Sequence, residues 1–214
     1  MTDRFRLPVA GRRRLVAAAA LLPMAGCTLV PERPAPLARH DFGPVPPAPA
    51  TIVPLPAPLA IGTVVAPDWL DGTALAYRLL WDAPGRLRAY AATGWAAPPS
   101  ALLAERLRER ASAWPVAARA RDPQGTPPAA ILRVDLSEFS QWFDAPDRAR
   151  AVVRVRASLL SPPTRAPLSQ RAFAAERPCA TPDAIGAVGA LISAAQQVVD
   201  EMLDWSAYTL ARGK

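Results

Sequence analysis

The chain is poor in the residues from which catalytic and metal sites are usually built. It has one histidine, His40, one lysine, Lys214, and two cysteines, Cys27 and Cys179. A histidine–cysteine metal site needs three or four ligands at close spacing, so no metal site is predicted. A hydrolytic triad needs a base beside a nucleophile, and no recognisable nucleophile pattern stands near His40.

Short catalytic motifs are also missing. The sequence has no Gly-x-Ser-x-Gly elbow, no Ser-x-x-Lys motif and no glycine-rich phosphate loop. Two carboxylate pairs, Asp68 with Asp71 and Asp135 with Glu138, have a spacing that general acid–base chemistry could use. Ordinary surface positions in turns and strands explain both pairs better. We therefore predict that the protein is not an enzyme and uses no cofactor.

The first 26 residues have the pattern of a bacterial lipoprotein signal peptide. Five arginines lie at positions 4, 6, 12, 13 and 14. An apolar run over 15–24 follows, about half the roughly 20 residues that a spanning helix needs. The run ends in Met24, Ala25, Gly26 and Cys27, which resembles a lipobox with Met24 in the usual leucine position. We predict cleavage before Cys27 and lipidation of its thiol. An ordinary signal peptide or a core helix are the alternatives.

Cleavage at this point changes how charge and cysteine content are interpreted. The formal charge of the whole chain is +7, but about +3 remains once 1–26 are removed. Without a basic run or an RNA-binding motif, nucleic acid is not a predicted partner. Cys179 would have no partner in the chain, so it is either a buried, inert thiol or paired with another chain. The three adjacent arginines leave Sec and twin-arginine export both open.

Residues 27–59 are rich in proline, which cannot pair normally in a sheet or continue a helix. Ten of the 30 residues from 31 to 60 are proline. The segment is predicted to be an extended tether, at about 3.1 Å per residue. One short strand is predicted near 38–43. No apolar run after Cys27 approaches membrane-spanning length, so the only predicted membrane attachment is the lipid.

Residues 60–208 are predicted to form one α+β domain. Strands are expected at 60–65, 73–81, 86–95, 131–143, 149–160 and 168–177, and helices at 98–114 and 181–205. Two amphipathic helices need a surface on which to bury their apolar stripes. The fold class is therefore a two-layer sandwich, in which both helices pack on one face of a mixed or antiparallel sheet.

The apolar positions of both helices recur at helical spacing. In the first helix they are Leu103, Leu107, Ala111 and Trp114; in the second they are Ile185, Val188, Ile192, Ala195, Val199 and Met202. The charged residues of the first helix, among them Arg106 and Arg110, are expected on its solvent side. Both stripes are interpreted as core.

The strand over 149–160 alternates strictly between two residue types. Val153, Val155, Ala157 and Leu159 share one face, and Arg150, Arg154 and Arg156 share the other. One side of the sheet is therefore either solvated or docked on an acidic partner surface.

Several segments resemble the family of ABC-type transport auxiliary lipoproteins. Residues 40–43 resemble its opening aromatic-x-Leu-Gly strand, with Phe42 in place of leucine, and 61–70 and 74–78 resemble the next strands. Residues 86–90 and then 94–99, Gly-Trp-Ala-Ala-Pro-Pro, are similar to a strand that ends in Trp-x-x-Pro-Pro before a leucine-rich helix. The likeness is strongest over 60–112; beyond 130 only the order of elements matches.

This resemblance implies a role in lipid transport between membranes. Family members accompany ABC transporter subunits and MCE-domain proteins from a lipid anchor, usually at the outer membrane. Thr28, rather than aspartate, follows the lipidated cysteine, which favours the outer membrane over the inner one. Two functions are expected: a docking component for an MCE-type protein, or a lipid carrier with a cavity bordered by Leu103, Leu107, Ile192 and Val199. A homo-oligomer is also conceivable.

Overall fold

The computed structural model describes residues 37–49, 51–117 and 127–212. The predicted signal peptide and Cys27 lie outside these residues. The strands are β1 Ala38–His40, β2 Leu59–Val65, β3 Ala74–Leu79, β4 Arg88–Trp95, β5 Ala130–Ala145, β6 Arg148–Leu160 and β7 Pro167–Pro178. The helices are α1 Pro99–Ser112 and α2 Ala184–Arg212, and one turn of 3-10 helix covers Asp68–Leu70.

The strands form one mixed seven-stranded sheet around the long strand β5. Its order is β1-β4-β3-β5-β6-β7, and β2 also pairs with β5. β2 runs parallel to the first half of β5, opposite 130–135, and β3 runs parallel to the second half, opposite 141–143. β5, β6 and β7 form an antiparallel meander. The two predicted hairpins, β3–β4 and β5–β6, are both present.

Both helices cover the same face of this sheet and complete the core. The valines of β6 that were predicted to share a face, Val153 and Val155, are buried there, together with Leu132 of β5 and Leu191 of α2. α1 begins at Pro99, where a missing N–H costs nothing because no carbonyl precedes it in the helix. The predicted two-layer α+β fold is confirmed.

The long helix α2 begins at Ala184, where the Asp183 carboxylate accepts a hydrogen bond from the Gly186 N–H at 2.8 Å. Its buried face differs from the predicted stripe at the start, because Ile185 is 67% exposed. Ala187 faces the sheet instead, and two residues correspond to about 200° around a helix. Among the described residues no helix, α2 included, has both the length and the apolar character needed to cross a membrane.

The proline-rich segment does not stand apart from the domain over the part that the structure describes. β1 pairs with β4, Phe42 is 6% exposed, and Leu55 is 1% exposed. Leu55 also pairs with Val116 beyond α1. Residues 37–49 and 51–59, predicted as tether, therefore belong to the folded unit. Prolines lack an N–H donor but keep their carbonyls, and those of Pro46 and Pro47 accept hydrogen bonds from Arg110, while Phe42 and Leu55 supply the buried apolar contacts of the segment.

Gly94 sits where the backbone of a neighbouring segment leaves no room for a side chain. A Cβ atom at this position would lie 2.7 Å from the Thr73 carbonyl oxygen, which also accepts the Trp95 N–H at 2.7 Å. We expect Gly94→Ala to lower the free energy of unfolding by about 1–3 kcal/mol, because the strand pair must separate. Urea denaturation would measure this loss. Gly85→Ala, which meets nothing within 4 Å, is the control and should change little.

Candidate partner-docking face

The face of the sheet opposite the helices holds the three arginines that the alternation of β6 placed together. Arg150, Arg154 and Arg156 all lie on this face, which we call the open face. On it, Arg150 stands opposite Trp142 of β5, and Arg156 stands opposite Asp135. The structure thus brings the three predicted residues onto one surface, but it gives them different surroundings.

Arg150 is held in an internal ion-pair network. Its Nη1 donates to the Asp144 carboxylate, and its Nε lies 3.0 Å from Glu176 Oε2. Its guanidinium lies 5.4 Å from the centre of the Trp142 ring. The hydrogen bond to Asp144, more than any other contact, raises the pKa of Arg150. Arg150 is therefore bound by side chains of its own domain and is not available to a partner.

Arg154 completes the network from the other side of the same tryptophan. Its guanidinium lies 4.8 Å from the Trp142 ring centre, and its Nη2 lies 3.5 Å from Glu176 Oε1. Trp142 is therefore in cation–π contact with two guanidiniums, and Glu176 contacts both of them. With Asp144 included, two positive and two negative charges balance within this cluster.

Arg156 is the member of the set whose charge is not neutralised. It is exposed and forms an ion pair with none of the described residues. Its cross-strand neighbour Asp135 is engaged by Arg133 at 3.2 Å. A shallow groove of about 450 Å³ lies beside Arg156. It is bordered by Arg154, Arg156 and Gln170 and includes Ala172 and Ala174 of β7. The open face thus places the exposed Arg156 next to a groove with small side chains.

Some side chains on the open face are buried by neighbouring side chains of the same face and do not contact water. Val152 is fully buried there, and Glu138 is 7% exposed and paired with Arg78 at 3.3 Å. Arg78 in turn lies 5.3 Å from the ring centre of Trp69, which is 44% exposed. A register shift between Leu136 and Glu138 turns Glu138 to this side. The sequence pattern did not show this layer, because it depends on contacts across strands.

Two arginines of α1, which were predicted to face solvent, are instead buried. Arg106 and Arg110 are each at most 3% exposed. The Nη2 atom of Arg106 donates to the carbonyl oxygens of Phe42 and Gly43, each at 2.6 Å. Its Nη1 atom donates to Gln196 Oε1 of α2 at 2.8 Å. Burial lowers the pKa of Arg106.

Arg110, one helical turn further on, binds the next part of the same segment. Its Nη1 donates to the Pro46 carbonyl at 2.9 Å, and its Nε contacts Asp200 of α2 at 2.6 Å. Prolines bring carbonyl acceptors without N–H donors, and arginine brings five donors and no acceptor. The two arginines therefore join the proline-rich segment, α1 and α2 into one unit, which we call the arginine clamp.

One of the two carboxylate pairs considered for catalysis, Asp135 with Glu138, is engaged in ion pairs. Glu138 and Asp135 are each paired with an arginine. Cys179 is half-buried, Gln141 Nε2 lies 3.5 Å from its Sγ, and burial raises the pKa of the thiol. Within 37–49, 51–117 and 127–212, no three histidine, cysteine or acidic side chains could hold a metal ion together.

Comparison with known proteins identifies the family to which this chain belongs. The chain belongs to the family of ABC-type transport auxiliary lipoprotein components, whose family model matches residues 42–203. This is a transport family rather than an enzyme family. None of the curated proteins matches the chain.

Solved structures share the fold at low sequence identity. A protein from Xanthomonas campestris, of the family described as DUF330, is 20% identical with a TM-score of 0.66; the match covers 84% of this chain and 96% of that one. A second structure, of a protein described as uncharacterized, is 17% identical with a TM-score of 0.56, covering 78% and 97%. At these identities the likeness concerns the fold alone.

Proposed function

We propose that this protein is the docking component of an ABC/MCE-type lipid transport system, anchored on the periplasmic side of the outer membrane by a lipid on Cys27. The observation that carries the proposal is the family match over residues 42–203, which spans almost the whole folded unit. The lipobox at 24–27 supplies the anchor, and Thr28 favours the outer membrane. The transported lipid would move through the partner proteins, while this domain fixes them in place.

The test is a crosslinked pull-down of the lipidated full-length protein from its own envelope, followed by mass spectrometry of proteins and lipids. We expect an MCE-domain protein and ABC transporter subunits to be recovered. Recovery of none of them from intact membranes would overturn the proposal. The same crosslinking would show a homo-oligomer as a ladder of multiples of the chain mass.

The open face is the proposed docking surface, with Arg156 as its exposed positive charge. We expect Arg156→Glu to reduce recovery of the MCE-type protein roughly fivefold, since reversing a rim charge against an acidic surface weakens association by about 1 kcal/mol. Arg171→Glu, which reverses an exposed charge on the helix side of the sheet, is the matched control. Equal recovery of the two variants would place docking elsewhere on the domain.

The alternative function, a carrier that holds an acyl chain between sheet and helices, needs a cavity at the residues predicted to border it. Leu103, Leu107 and Val199 have no solvent-accessible surface, and Ile192 is only partly buried. Side chains in this state contact protein on every side, which is a closed core rather than a binding cavity. This packing argues against the lipid-carrier function. Stoichiometric lipid that copurifies with the isolated protein would restore it.

A further inference from the structure

Several elements end together at one end of the sheet, which we call the turn end. The Leu80 N–H donates to the Phe143 carbonyl at 3.0 Å, which places the β3–β4 turn beside the end of β5. The Cys179 N–H donates to the Ala149 carbonyl at 2.9 Å, which places the start of α2 beside the β5–β6 turn. The turn end thus comprises both hairpin turns and the first turn of α2.

Two large apolar side chains are exposed at the turn end. Trp81 is 48% exposed, and Ile185 is 67% exposed. The Trp81 ring packs edge-on against Phe143 at 6.3 Å between ring centres, and Phe143 packs against Tyr77 at 5.8 Å. Tyr77 packs in turn against Tyr90, with 4.8 Å between the ring centres and the rings tilted by 41°. Trp81 is therefore a tryptophan held out to solvent on an ordered aromatic base, not a side chain on a loose loop.

The direction of the first strand shows from which side the chain reaches the domain. β1 is parallel to β4, with Ala38 opposite Thr93, and β4 starts at Arg88 beside the β3–β4 turn. Strand β1 therefore begins on the side that faces the turn end, and Leu37 lies about 17 Å from that end at 3.3 Å per residue. The ten residue steps from Cys27 to Leu37 span at most about 35 Å.

This reach favours one end of the domain over the other. A straight chain from Leu37 carries Cys27 past the turn end by about 15 Å, which is enough to reach a lipid surface. The other end of the sheet, where β5 begins at Ala130, lies about 30 Å from Leu37 in the opposite direction. To bring Cys27 past that end, the chain would have to reverse its direction directly before Leu37 and extend fully along the domain.

We propose that the turn end rests on the bilayer surface, with Trp81 inserted among the lipid headgroups. The inference rests on the proposed lipid anchor at Cys27. Tryptophan favours this depth because its ring is apolar and its N–H remains satisfied at the interface. The exposed Arg86 and Arg148, which form ion pairs with none of the described residues, suit anionic headgroups, although exposed Asp147 offsets one of them.

Quenching of tryptophan fluorescence by brominated lipid tests this orientation. The lipidated full-length protein is reconstituted into vesicles of phosphatidylethanolamine and phosphatidylglycerol containing brominated phosphatidylcholine, and vesicle binding is checked by flotation. We expect quenching relative to unbrominated vesicles, and we expect Trp81→Phe to reduce the quenched fraction at least about twofold, because only an interfacial ring reaches the bromines. Trp69→Phe removes a similarly exposed tryptophan from the open face and should leave the quenching unchanged.

The outcomes separate this inference from the anchor on which it rests. Protein that floats with vesicles but is quenched equally with and without Trp81 keeps its anchor and overturns the orientation. Protein that does not float at all overturns the anchor and the orientation together. Loss of quenching in Trp69→Phe instead would turn the open face toward the membrane, which contradicts the proposal.

Discussion

Arg106→Met is expected to lower the free energy of unfolding by about 3 kcal/mol or more, because it removes hydrogen bonds from a charged donor to three buried or half-buried oxygens. Methionine keeps most of the volume of the arginine stem, so the loss reports the hydrogen bonds rather than a cavity. For a domain of this size, the melting temperature should fall by roughly 6–12 °C. Differential scanning calorimetry of the unlipidated protein measures it.

The matched control for this experiment lies two residues further along the same helix. Arg108 is 53% exposed in its side chain and, among the described residues, forms its ion pair with Glu105 one turn earlier. Arg108→Met should change the free energy of unfolding by no more than about 0.5 kcal/mol, as expected for a surface ion pair. If Arg106→Met were as mild as Arg108→Met, the arginine clamp would not hold the proline-rich segment.

The Arg106→Met variant also shows whether the arginine clamp stabilises only the proline-rich segment or the whole fold. In Arg106→Met the carbonyls of Phe42 and Gly43 lose their donor, so we expect the segment before β2 to exchange its amide hydrogens faster. Protection in β5 and β6 should persist under native conditions, because those strands have their own core. Uniform loss of protection across the domain would contradict this division.

The sequence predicted most of the fold because its elements carry strong local signals. The alternation of β6 defined both faces of its strand, and Pro99 with Pro115 bracketed α1. The pairing of β2 and β3 with two halves of β5 could not be read in the same way, because strand order depends on contacts between distant segments. The shift at Glu138 likewise follows from register, which no local pattern records.

The candidate site was predictable only in part. Alternation placed Arg150, Arg154 and Arg156 on one face, but only the cross-strand partners show which charges are already used. The short turn at 145–148 alone would place Ala151 opposite Trp142, and the register shift between Phe143 and Ala145 brings Arg150 there instead, so the turn length could not have predicted this pair. Arg106 had a weaker signal: it flanks the apolar stripe of α1, and the proline-rich segment carries carbonyls in need of donors.

The two surfaces fit together in the proposed arrangement. An anchor that reaches the domain from the turn end leaves the open face at the side of the sheet rather than pressed on the bilayer. The balanced network around Trp142 would then stiffen the docking face, while Arg156 remains available at its margin. Stiffness favours association because fewer side chains lose rotamer freedom when a partner binds.

Cys27→Ser is expected to have the largest effect on function, because it removes the thiol that would carry the lipid. A diacyl anchor holds a protein stably where a single chain does not, so without it the membrane-bound fraction should fall at least about tenfold. Fractionation of the envelope and incorporation of a clickable palmitate analogue measure this. Cys179→Ser is the control within the chain: it removes a thiol of the folded domain and should keep both the label and the membrane fraction. Label that survives in Cys27→Ser would place the acyl group elsewhere and remove the basis for the anchor.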